Sequence, residues 1–248
     1  MELLKEYIGL LLEATKTPSD AVSEGLALMV SNRPGGDITL VLYDAGLLAE
    51  VITEMIRDLE SQGERADLRE LHHFEWLGDV PDLIIGLLGA AANRSGQCND
   101  AYEITTSVAL RGYGPMLYDA MMSTVPGNTL TPDRHAVSDD ASAVWKYYRD
   151  NRSDVETTKL DNVKDPQTLP KKDDCKLHKS YDDDHWLDQS YSSDGIDVSG
   201  LVSAHDNVLK DISDEIHTYL DLKINPKKLE HALKLFGFRL FDQKHNQG

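Results

Sequence analysis

The stretch that decides the fold is SVALRGYGPMLYDAMM, residues 107–122, where a run that alternates like a strand meets one that repeats like a helix across Gly112-Tyr113-Gly114-Pro115. Glycine and proline serve any tight turn, and a turn alone explains them. At a strand-to-helix junction the same residues can also form a cradle. Glycines admit close backbone approach, and the first helical amides point unsatisfied hydrogens outward, which suits a diphosphate. The six-position dinucleotide fingerprint is absent, as is the Gly-Lys-Ser/Thr of a P-loop.

Upstream of the junction, AYEITTSVAL (101–110) reads as a strand, and DLIIGLLGAAAN (82–93) is apolar enough for a central one despite Gly86 and Gly89. ITLVLYD (38–44) follows the turn Pro34-Gly35-Gly36-Asp37 and predicts a buried strand. The next helix spans residues 45–62, with Leu48, Ile52, Met55, Ile56 and Leu59 on one face and Gly63 at its stop. Residues 65–77 are ambiguous; LRELHHFEWL fits a strand carrying His73, Glu75 and Trp76. At the start, Leu4, Tyr7, Ile8, Leu11 and Leu12 predict an amphipathic helix over residues 3–16, ended by Pro18 and the Ser19/Asp20 pair.

Downstream, Pro115 opens a helix through about Ser123. Ser138 is the N-cap expected for the next helix, with Asp139 and Asp140 in the first turn and Ala141, Val144, Trp145 and Tyr148 on one side. DVETTKLD closes this part as a strand. The mixed order predicts an α/β (α+β) domain over residues 19–162, a mixed sheet flanked by helices, preceded by the N-terminal helix in residues 1–18. Residues 163–248 form an acidic, partly irregular extension, expected to be peripheral. It ends in a helix through Val208, Ile212, Ile216 and Leu220 and a short one after Asn225.

Composition narrows the function classes. With 43 acidic against 25 basic residues and a formal charge of −18, broad nucleic-acid binding and an anionic membrane surface are unsuitable partners. No apolar run approaches the roughly 20 residues that span a bilayer. Glu2, Lys5, Glu6 and Glu13 interrupt the first apolar segment, so no secretory signal is expected. Cys98 and Cys175 are too few for a disulfide framework and suit a reducing compartment, which predicts a cytoplasmic protein. His178, Asp182, Asp183, Asp184 and His185 lack the spacing of any particular metal, and Ser193-Asp194-Gly195 lacks the rest of a calcium loop, so no metal site is expected.

From about residue 38 to residue 161 the chain resembles the GNAT acyl-CoA N-acyltransferase superfamily, especially divergent members encoded by bacteriophages. In that family a strand leads into an Arg/Gln-x-x-Gly-x-Gly/Ala loop whose amides hold the coenzyme A pyrophosphate, followed by a helix, a short strand and a second helix. The resemblance implies acetyl-CoA as cofactor, bound by Leu110, Arg111, Gly112, Tyr113, Gly114, Pro115 and Met116. Ala109 stands at the Arg/Gln position, with Arg111 one step before the Gly-x-Gly. Where the family carries Ala-x-x-x-Tyr, whose tyrosine protonates the leaving thiolate, this chain has Ala141-Ser-Ala-Val-Trp145. Tyr148, or Tyr147, is then the candidate acid, and Glu75, with His73 and Glu103 as alternatives, the candidate base. The expected activity is acetyl transfer to an amine. The alternative is a noncatalytic GNAT-like phage virion or assembly protein, in the host cytoplasm or virion-associated, that meets a protein partner through its N-terminal helix.

Overall fold

A computed structural model describes residues 15–61, 80, 82–93, 95–176, 185–220, 227 and 230. The expected helix at residues 3–16, the ambiguous segment with His73, Glu75 and Trp76, and most of the last helix lie outside them. The described chain runs through α1 (Pro18–Ser23), β1 (Leu26–Asn32), β2 (Ile38–Asp44), α2 (Ala45–Ser61), β3 (Ile84–Ala91), a 3-10 turn (Cys98–Asp100), β4 (Tyr102–Ala109) and α3 (Gly114–Thr124). It continues through β5 (Thr129–Thr131), α4 (Asp139–Asn151), β6 (Glu156–Lys159), β7 (Asp161–Asn162), β8 (Asp174–Cys175), β9 (Gln189–Ser192) and α5 (Ser199–Leu220). The fold is mixed α/β. Its large sheet has the order β1-β2-β3-β4-β5-β9-β6, and β7 and β8 form a separate ladder.

The chain divides into two compact units. One takes Lys16–Ser31, Thr39–Leu87 and Val198–Gly248. In it, Ala27 and Met29 of β1, Val41 and Tyr43 of β2, Leu48 and Ile52 of α2, and Leu209 and Ile212 of α5 are buried together. Each such aliphatic contributes about 1.5–3 kcal/mol over an exposed position. Pro18 starts a helix, because Thr17 and Asp20 form a reciprocal capping box and Pro18 sits where no N–H is needed. The run LALMVSN, for which no element is expected, is a strand buried along most of its length.

The other unit takes Asn32–Ile38 and Leu88–Asp197, with Met1–Thr15. Its centre is aromatic. Trp145 meets Tyr118 edge-on at 5.0 Å and tilts against Tyr191 at 4.9 Å, with Tyr148 beside them. Ser138 caps α4 as expected, accepting the Ala141 N–H at 3.2 Å. The stretch expected to be peripheral supplies β9, which pairs antiparallel with both β5 and β6 and buries Tyr191 completely. QSYS is too short and polar to announce this; its place comes from two partner strands. The cysteines depart from expectation as well. Cys98 and Cys175, 77 residues apart in sequence, are joined in a disulfide that ties the 3-10 turn to β8. No helix among the described residues is long and apolar enough to cross a membrane.

Candidate functional site

β4 and β5 run parallel, yet only Tyr102 and Glu103 have partners on β5, Leu130 and Thr131. β5 ends at Thr131 while β4 continues through Ala109, so the ladder between them stops after its first pairs, like the root of a fork. From Ile104 to Ala109 the β4 edge that faced β5 runs on for about 20 Å without that strand. Its last three residues are exposed. This fork opens toward the Gly-Tyr-Gly-Pro corner.

At the corner, Gly112 has φ 92°, a left-handed conformation that favours glycine, so the fold itself explains it. Gly114 is different: a Cβ added there would meet nothing within 4 Å. The space beside it is open, and packing does not demand a glycine. The Tyr113 amide is engaged, donating to the Leu110 carbonyl at 3.2 Å, and its side chain is buried. Leu117 gives the first bond of the helix turn, to Tyr113 O at 3.0 Å, and Pro115 has no N–H. The amides of Gly114 and Met116 therefore precede that bond at the positive end of α3. Leu110 and Arg111 are exposed, whereas Met116 is buried.

Tyr148 lies directly beneath this corner. Its hydroxyl donates to Asp119 Oδ1 at 2.8 Å and lies 2.9 Å from the Pro115 carbonyl, and the residue has no exposed surface. Burial, reinforced by the Asp119 charge, pushes its pKa well above that of an ordinary tyrosine. Burial also raises the Asp119 pKa, against hydrogen bonds from Arg152 and Tyr148 that lower it. Arg152 reaches both Asp119 oxygens, at 3.3 and 3.0 Å, and pairs with Asp154 at 2.6 Å. Trp145 is 1% exposed and belongs to the aromatic core.

Glu103 is the one base candidate among the described residues that stands at the fork, in the last β4/β5 pair. Its Oε1 accepts the Arg134 N–H at 2.8 Å. Burial raises its pKa, outweighing that bond and the positive charges of Arg134 and His135. Arg134, itself buried, donates to Thr131 Oγ1 and the Leu187 carbonyl and pairs with Asp188 at 3.4 Å. The structure thus brings Tyr148 and the Gly112 corner together and sets Glu103 at the root of the fork; Glu75 lies outside the described residues. Asp119, Arg134 and Asp188 escape sequence reading, since nothing in their local pattern marks a buried charge, and so does the half-buried Arg152. Elsewhere in the same unit, Asp161, Asp173 and Asp174 each place an oxygen within 4.8 Å of the others, and Asp161 Oδ2 accepts from Gln167 and Thr168.

No protein-family model, curated protein or solved structure matches the chain.

Proposed function

We propose that the chain is an acyl-CoA-dependent N-acyltransferase of the GNAT type, moving an acetyl group from acetyl-CoA to an amine. The observation that carries this reading is the fork: parallel β4 and β5 pair only as far as Glu103 and Thr131, where β5 ends and β4 runs on toward the glycine corner that starts α3. A strand edge left without a neighbour offers N–H and C=O groups at regular spacing, which suits an extended, amide-containing arm such as pantetheine. The Gly114 and Met116 amides, with the α3 dipole behind them and Arg111 beside them, suit the diphosphate. The succession of strand, glycine loop, helix, short strand and helix agrees with the family's order.

In this reading Glu103 takes the proton of the attacking amine, directly or through one water. A raised carboxyl pKa matches that task better than an ordinary one near neutral pH. Tyr148 holds the loop in place instead of giving up its proton, because the hydroxyl is sealed between Asp119 and Pro115.

Titration calorimetry with acetyl-CoA tests the proposal. Binding tighter than about 1 mM is expected, and its absence removes the enzymatic reading. Gly114→Glu is a clean control: the fold leaves room for a side chain, so the variant should fold normally and lose the ligand through charge. The burial of both Trp145 and Tyr148 favours a second reading, a noncatalytic GNAT-like phage assembly protein. Acetyl-CoA binding without turnover on any amine selects it.

A further inference from the structure

We propose that the Cys98–Cys175 disulfide is a redox latch that holds a left-handed turn and, through it, the root of the β4/β5 fork. Cys98, Asn99 and Asp100 have φ of 54°, 55° and 58°, three successive non-glycine residues in the left-handed region. The turn is closed by Asp100 N–H to Gln97 O and Ala101 N–H to Cys98 O, each 3.0 Å. Asparagine and aspartate tolerate this conformation better than most residues, and cysteine does not share that tolerance. Such a run persists only where its surroundings over-determine it.

The surroundings come from three places in the chain, the first being Asn93, whose Nδ2 donates to the Gln97 carbonyl on which the turn closes. Asn99 N–H donates to Lys172 O at 2.6 Å, Asn99 Nδ2 to Ser190 Oγ at 3.3 Å, and Asp100 pairs with Lys172 at 2.9 Å. That ion pair is more than half exposed and adds little. The covalent link to Cys175 is the strong restraint. One residue beyond the turn, after fully buried Ala101, come Tyr102 and Glu103, the only β4 residues with β5 partners. A turn that relaxes toward right-handed backbone displaces the two pairs on which the fork is built.

The chemistry is ordinary thiol exchange with a dithiol as reductant. Its thiolate attacks Cys98 Sγ, on the half-buried residue of the pair, since Cys175 is fully buried. The S–S bond breaks, the electron pair leaves on Cys175 Sγ, and that sulfur takes a proton. The second thiol of the reductant then displaces Cys98, leaving two thiols on the protein and an oxidised, cyclic disulfide. Two electrons pass.

The latch does not depend on what the fork binds, so its test uses amide hydrogen exchange on the full chain, before and after dithiothreitol and again after reoxidation. Reduction should speed exchange at residues 102–103 and 130–131 at least about tenfold, leave residues 38–44 unchanged, and reverse on reoxidation. Unchanged exchange at 102–103 overturns the latch. So does equal loss at 38–44, which makes the disulfide a general staple. If acetyl-CoA binds in neither redox state while exchange responds as expected, the transferase reading fails and the latch stands.

Discussion

The Tyr148 hydroxyl links two parts of the loop's support, Asp119 in the middle of α3 and the Pro115 carbonyl at its first turn. Tyr148→Phe removes the hydrogen bond to the Asp119 carboxylate, and a bond to a charged group is worth about 1.5–3 kcal/mol, which urea unfolding will measure. An acid catalyst would instead show itself in turnover, by a loss of about 10²–10⁴; we expect the stability change without that loss. Glu103 makes the second prediction. Its pKa is raised in the fold, so the native chain holds this proton at pH values where the unfolded chain has released it. Its contribution is therefore fully present below the unfolded value and is lost as pH rises toward the folded one, the reverse of acid denaturation. Glu103→Gln should flatten the fall in urea midpoint between the ordinary carboxylate range and neutrality, and a variant that keeps the full parental slope rejects the assignment. The same sign holds for Asp119 and Asp188, also raised by burial, and is opposed by Asp150 and Asp154, whose arginine partners lower them.

At the scale of elements, α3 is pinned from its far end as well as from Tyr148. Gly195, just after β9, has φ 70° and lies so close to α3 that a Cβ would sit 2.6 Å from Ser123 N and 2.7 Å from Asp119 O. Both are backbone atoms and neither can turn aside. Gly195→Ala should therefore destabilise the fold by more than about 2 kcal/mol, whereas Gly114→Ala, facing open space, should stay within about 0.5 kcal/mol; paired thermal melts decide it. The sequence marks Gly195 only as part of an incomplete calcium-loop pattern and gives no sign of its contact with α3. β2 and β3 could be read because their apolar runs are dictated by burial, β4 because its β-branched residues favour a strand although only Ile104 is buried, and α2 and α4 because Leu48, Ile52, Trp145 and Tyr148 recur at the helical period. β9 could not, since Gln189 and Ser190 are buried only because strands lie on both sides. The fork was equally hidden. It depends on β5 ending at Thr131, and no residue of β4 records that its neighbour stops.

For the whole molecule, the decisive quantity is the excess of 43 acidic over 25 basic residues, a formal charge of −18. Salt has two opposed effects on such a chain. It weakens favourable pairs such as Lys172 with Asp100 and Arg149 with Asp150, and it screens repulsion among the unmatched acids. Exposed pairs are worth at most about 1 kcal/mol each and frequently nothing measurable, whereas every unmatched carboxylate feels all the others within a screening length. Going from about 0.01 M to about 0.1 M salt cuts that length from about 30 Å to about 10 Å, short enough to separate the two ends of a domain this size electrically. Repulsion is therefore relieved more than attraction is lost. We expect the thermal midpoint to climb by about 2–4 °C over this range, equivalent to roughly 1 kcal/mol for a chain of this length. Sodium and potassium chloride should act alike, because screening depends on ionic strength and not on ion identity. A midpoint that falls with added salt would mean that the few cations, Arg134 and Arg152 among them, hold the fold against its net charge.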